Sequence, residues 1–155
     1  MATTTNGVFL TSTNQASYES PFQTFNTPQQ VAFSETIADG DMDAIGDVTN
    51  LVEIPQGAKI LYFYYEVADH DDGGQTDMDF QLVTVSGGTT TTTTLLNGAT
   101  LGQAAATAFV LPAVDTAYLH ETTVADSGVA TFRLYQNAAV TTDKASSIKG
   151  FIVYR

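Results

Sequence analysis

The chain has 155 residues, 43% of them hydrophobic, which is one ordinary domain with enough apolar content to bury its own core, so two large domains are excluded. Asp and Glu number 17 against 5 Lys and Arg, a formal net charge of −12 that argues against a nucleic-acid-binding surface and against an anionic membrane as partner. With no Cys, a disulfide framework, a thiol nucleophile and a thiolate metal site are all ruled out.

Met1 to Thr5 has neither a basic nor an apolar leader, so no secretory signal is expected, and no later stretch is apolar enough to span a bilayer. The run from Phe80 to Val114 carries no formal charge, yet it is filled with Thr, Gly and Ala, so a soluble protein is expected. Residues 1–28 are rich in Thr, Asn, Gln and Ser, with Phe9, Leu10, Phe22 and Phe25 set singly among them and no sustained period. They read as an extended N-terminal arm whose isolated aromatics either meet a neighbouring molecule or lie across the chain's own domain.

Residues 29–155 read as a single all-β domain, an antiparallel β-sandwich of jelly-roll-like form, because short strands alternate with turn signals. Val31–Ile37 and Asp47–Ile54 are the first two strands, and Pro55-Gln56-Gly57 supplies the turn after the second. In Ala58–Ala68, Leu61, Phe63, Tyr65 and Val67 fall on one face and Ile60, Tyr62 and Tyr64 on the other, which predicts a central strand with both faces covered. Thr76–Val85 alternates Met78, Phe80 and Leu82 against Asp77, Asp79 and Gln81, as a strand with one wet face does. The β-branched run Thr89–Thr94 leads into Leu95 and Leu96, and Asn97-Gly98 predicts a type I′ turn. Ala99–Thr107 is read as a short helix. Thr116–Val124, Val129–Asn137 and Ile148–Arg155 complete the strands, with Asp126-Ser127-Gly128 as a hairpin connection.

Twelve acidic residues from Glu35 to Asp79 crowd around one cation, Lys59. Asp69, Asp71 and Asp72 are the calcium candidates there, since Asp69-x-Asp71 before Gly73-Gly74 resembles the start of an EF-hand loop. The pattern fails where the fifth position is Gly73 and the bidentate Glu is replaced by Phe80, so a solvated acidic loop is the default and no metal or cofactor is assigned. His70 and His120 have no metal-binding spacing, and Ser127 in Ala125-Asp126-Ser127-Gly128 is not a nucleophile elbow. No catalytic residue is assigned, and the chain reads as a non-enzyme. Tyr62 and Tyr64 share one strand face, where subunit interface or core explains them better than a sugar platform.

The block Asp47-Val48-x-x-Leu51-x-x-Ile54-Pro55-x-Gly57-Ala58-x-Ile60-Leu61, together with the ending Gly150-Phe151-Ile152-Val153-Tyr154-Arg155, resembles the small β-rich structural proteins of tailed bacteriophages, in particular capsid decoration or cement proteins. The resemblance spans Val31 to Arg155. It implies a protein on the outer capsid surface of the virion, a homotrimer that ties neighbouring major capsid protein subunits together, with the arm as a strap. Phe9, Phe22, Phe25, Tyr62 and Tyr64 are then the interface candidates. A charged fraction of only 14% suits broad, weakly charged contacts. The alternative is a carbohydrate- or receptor-binding sandwich module of a tail or cell-surface protein. A hydrolase built on the Asp-rich loops is the third option.

Overall fold

Period-two alternation becomes nine strands among the residues described by the computed structural model, which are 4–6, 28–55, 58, 60–98, 100–111 and 129–155. In chain order they are β1 (Thr4–Asn6), β2 (Gln29–Ile37), β3 (Val48–Pro55), β4 (Ile60–Val67), β5 (Met78–Ser86), β6 (Thr89–Leu96), β7 (Ala106–Val110), β8 (Val129–Gln136) and β9 (Ser146–Tyr154). One sheet has the order β1-β3-β8-β5-β6 and the other β2-β9-β4-β7.

The pairing is nested about a single tight turn. Gly87 and Gly88, at φ 55° and 77°, join Ser86 to its cross-strand partner Thr89. Two consecutive left-handed residues make this the type I′ geometry, whose twist matches that of the strands it joins. Outward from it, β4 pairs with β7, β3 with β8 and β2 with β9, all antiparallel, while β4–β9 and β5–β8 stitch these pairs into two four-stranded layers. Eight strands so arranged form a jelly roll. β1 adds to β3 as a short parallel edge, Thr4 to Asn6 opposite Val48 to Asn50.

Inward side chains bind the layers together. Phe63 of β4 lies 5.1 Å from Phe80 of β5 and 5.2 Å from Phe132 of β8, ring centroid to centroid. Phe80 and Phe132 stack at 5.4 Å, and Phe33 of β2 meets Phe132 at 5.7 Å. Ile37, Ile54, Met78, Leu82, Leu134, Ile148 and Ile152 fill the space around these rings and are fully buried. β9 runs through the middle of its sheet, and at Gly150 the neighbouring strand comes so close that a Cβ would lie 2.0 Å from the Tyr64 carbonyl and 2.8 Å from the Phe33 ring.

Several expectations change. Ala99–Thr107 is not helical: Gln103 N bonds back to Thr100 O, Gly102 sits at φ 89°, and the chain then extends as β7. The alternation Ala106, Ala108, Val110 inward against Thr107 and Phe109 outward is the strand signal that the alanine-rich composition masked. Asn97-Gly98 is not a type I′ turn, since neither residue has positive φ; Gly98 is there because a Cβ would sit 2.3 Å from the Met78 carbonyl. Ile60 is buried instead of sharing the outer face with Tyr62 and Tyr64, because a register shift between Ile60 and Tyr62 turns it inward. The expected wet face of β5 is partly covered too: Asp79 and Gln81 are buried, accepting from the Gly98 amide and from Arg133 respectively. Thr116–Val124, the Asp126–Gly128 turn, His120 and Ser127 lie outside the described residues.

At one end, the β2–β3, β4–β5 and β8–β9 connections are laced together. Gly40 N donates to Asp143, Val140 N to the Asp43 carbonyl, Asp72 N to Thr142 O and Asn137 N to Asp77 O. At the centre is Asp71, buried, whose carboxylate accepts from Thr142 Oγ1 (2.6 Å), Gly73 N (2.7 Å), Thr76 N (2.8 Å) and Gln75 N. Burial opposes its ionisation, but the Thr142 hydroxyl and the three amides outweigh that and hold the carboxyl well below the usual carboxylate range.

Three outcomes follow from these contacts. Replacing Gly150 by Ala is expected to destabilise the domain by roughly 1–3 kcal/mol, since backbone lies where the methyl must go, and urea titration measures it. Asp71→Ala is expected to destabilise by about 3 kcal/mol or more, because amides and a hydroxyl lose their acceptor in a buried site. With its folded pKa depressed, Asp71 contributes stability above about pH 4, its ordinary range, and loses it as pH falls below that. An Asp71→Asn variant should therefore have a shallower decline in melting temperature on acidification than the parent; an unchanged acid profile would refute this role.

Candidate functional site

β4, β9 and β7 each carry alternate side chains outward, and in register these form an aromatic cluster on the outer face of the four-stranded sheet. Tyr64 stands opposite Phe151 on one side and Phe109 on the other. Ring centroids are 5.5 Å apart for Tyr64–Phe151 and 4.8 Å for Tyr64–Phe109, and Tyr62 closes the group at 6.3 Å from Phe151 and 6.4 Å from Phe109. The rings are mostly tilted against one another, so they present an apolar knob and not one flat stacking surface. Phe109 is 68% exposed, and Leu111, just past β7, is 78% exposed.

One edge of the cluster is polar. Tyr64 donates its hydroxyl to Glu66 Oε1 at 2.7 Å, and Lys149 pairs with Glu66 Oε2 at 2.7 Å. The bond to Glu66, with burial and the Glu66 charge behind it, raises the Tyr64 pKa; the Lys149 bond, then that of Tyr64, lowers that of Glu66. Tyr64 is thus a neutral donor with a fixed ring orientation, suited to contact rather than to proton transfer.

The calcium candidates are not brought together. Asp71 turns inward to the amides already described, while Asp69 and Asp72 both engage the Lys144 ammonium, Asp69 at 2.9 Å. Lys144 lowers the Asp69 pKa, and the bonds to Asp72 and Asp69 raise that of Lys144. Among the described residues no group of three or more His, Asp and Glu side chains converges on one point. In the structure the partners of these carboxylates are the Lys144 ammonium and the backbone amides of residues 73, 75 and 76. His70 is buried, its Nδ1 3.0 Å from Ser146 Oγ, as a structural residue of the same loop end.

Of the interface candidates, Tyr62 and Tyr64 lie together on this face, whereas Phe9, Phe22 and Phe25 fall outside the described residues. Sequence reading missed Phe109, which lies two residues past the stretch read as a helix and was assigned to no strand, and it treated Phe151 only as part of a terminal strand. Lys144 was also missed: its partners are more than seventy residues away in the chain, and nothing local announces them.

No protein-family model matches the chain, and no curated protein matches it. Solved structures do. A chain from the capsid of Ralstonia phage GP4 matches with a TM-score of 0.64 at 20% identity, over 85% of this chain and 86% of that one. A chain from the capsid asymmetric unit of cyanophage Pam1 matches with a TM-score of 0.55 at 18% identity, over 83% of this chain and 84% of that one. At such identities the likeness establishes a shared fold: the two-layered sandwich described above is also the fold of chains in two phage capsids.

Proposed function

We propose that this chain is a non-enzymatic structural protein of a phage virion, which decorates the outer capsid surface as a homo-oligomer, a trimer, and stabilises the shell by bridging neighbouring major capsid protein subunits. The observation that carries the reading is the near end-to-end match to chains from two phage capsids, with little of either partner left over for another domain. A fold alone does not name a function, and the side chains add independent support. Asp69, Asp71 and Asp72 are engaged in holding loops, not in facing a substrate. Of the three large hydrophobic side chains left exposed among the described residues, Phe109 lies on an outer sheet face and Leu111 directly beyond it, where a contact surface would form, while Ile45 lies on the β2–β3 loop. Decoration by an oligomer also needs only modest affinity at each contact, because several attachments reinforce one another.

Co-sedimentation of the purified chain with expanded heads that lack it is the direct test. Saturable binding, together with a higher melting temperature of the heads, is the expected result; no binding would overturn the reading, and calcium-independent recognition of a glycan instead would favour the carbohydrate-binding alternative. Deleting residues 1–28 removes β1 and leaves β2–β9, so the deletion is expected to keep the β-sheet circular dichroism spectrum and to weaken attachment to the heads. Unfolding of the truncated chain would make the arm an integral part of the domain.

A further inference from the structure

Charge is divided sharply over this molecule. The laced loops at one end carry Asp39, Asp41, Asp43 and Asp47 in the first, Asp69, Asp71, Asp72 and Asp77 in the second, and Asp143 in the third. The stretch from Phe80 to Val114 has no formal charge at all, and it contains both β6 and β7. Each is the last strand of its sheet among the described residues. Phe33 of β2 packs on Phe132 of β8, and Phe63 of β4 on Phe80 of β5, so the two strand orders run in the same direction across the sandwich. β6 and β7 therefore share one flank among the described residues, and neither strand carries a charged side chain.

We infer that this flank, with Phe109 at its centre, is the surface through which copies of the chain associate in the oligomer, Phe109 and Leu111 packing against a neighbouring copy and bringing the Tyr62–Tyr64–Phe151 cluster into the contact. The argument is electrostatic first. Copies bearing −12 each repel, and any contact that brings the Asp-rich ends together forces like charges into one another's field. The β6–β7 flank is a surface on which two copies meet without that opposition. Edge strands ordinarily carry Lys, Pro or an inward charge that blocks pairing with another sheet. Here β6 reads Thr-Thr-Thr-Thr-Thr-Thr-Leu-Leu and β7 reads Ala-Thr-Ala-Phe-Val, with no such residue. Finally, Phe109 is a large aromatic, mostly exposed and backed by three other rings, which is the make-up of an interface anchor.

This inference rests on the oligomeric decoration reading and extends it by assigning the self-contact, and the experiment separates the two. The full-length chain, Phe109→Asp and Ile45→Asp are compared by sedimentation velocity at low and high NaCl, with circular dichroism as the check on folding. Ile45 is the control because it is similarly exposed, at 65%, but lies on the acidic β2–β3 loop. The wild-type chain is expected to form a defined oligomer, tightened by salt because screening weakens the net repulsion while the charges at the edge of the contact, Glu66 and Lys149, pair with each other within one copy. Phe109→Asp should weaken self-association by at least about thirtyfold, as loss of a buried anchor does, and Ile45→Asp should leave it unchanged. A wild-type chain that stays monomeric, an oligomer that survives Phe109→Asp, dissociation by Ile45→Asp alone, or a contact loosened by salt would each overturn the inference. A monomeric wild type that binds a glycan through Phe109 would overturn it in favour of a carbohydrate surface. Binding to heads is measured in parallel. Wild-type binding without the Phe109-dependent oligomer sinks this inference alone, whereas loss of wild-type binding sinks the decoration reading.

Discussion

Everything else in the molecule presupposes the contact of Phe63 with Phe80 and Phe132. Neither sheet is stable by itself, since each has one face that is almost wholly apolar, and these three rings are where the two faces meet. The stacked pair Phe80–Phe132 belongs to neighbouring strands of one sheet, while Phe63 reaches it from the other. Their mutual positions therefore fix the lateral offset of the layers as well as their separation. Gly150 is subordinate to this packing. By presenting no side chain it lets Phe33 lie close over β9 and reach Phe132, which extends the aromatic core to the sheet edge.

Much of this fold was legible because strand alternation survives in sequence wherever one face is buried. Met78, Phe80 and Leu82 announced their side of β5 without ambiguity, and Phe63, Tyr65 and Val67 did so for β4. What failed to announce itself was anything decided by a partner. Ile60 changes face because the ladder slips by one residue against β9, a property of the pair and not of either strand. Asp79 and Gln81 look solvated in isolation, yet Gly98 and Arg133 arrive from elsewhere to cover them. The two Gly-containing turns were exchanged for a related reason. Asn97-Gly98 has the more usual hairpin composition, but its glycine serves close approach to β5, and the hairpin is made at Gly87-Gly88.

The candidate site was readable only in its β4 half. Tyr62 and Tyr64 could be assigned to one outer face from period two alone, and the structure gives them neighbours from two other strands. Phe151 was within reach of the same reasoning, since a terminal strand that alternates must have an outer face. Phe109 was not: the run Ala104-Ala105-Ala106 leading into β7 obscures where its alternation begins, and pairing with β4 is what sets Phe109 beside Tyr64. In the acidic loops the sequence shows the carboxylates but not their partners, because Lys144 comes from more than seventy residues away and the amides of residues 73, 75 and 76 turn to Asp71 only through the fold of the loop.

The separation of acidic end from neutral flank follows from the topology. In a nested antiparallel pairing each strand reverses the chain, so connections two strands apart emerge at the same end. The aspartates of residues 38–47 and 68–77 are separated by β3 and β4, one excursion out and back, and must meet; the β8–β9 loop, four described strands further on, brings Asp143 and Lys144 to them. The uncharged stretch begins inside β5 and includes the turn about which the chain folds back. It therefore supplies the innermost returning strands, which this strand order sends to the outer edges of both sheets. A charge distribution that is merely uneven along the sequence thus becomes polarised in space. In the self-association proposed above, the like-charge field at the loop end would leave the β6–β7 side as the direction of approach, so that the placement of aspartates would constrain assembly even where no aspartate makes a contact.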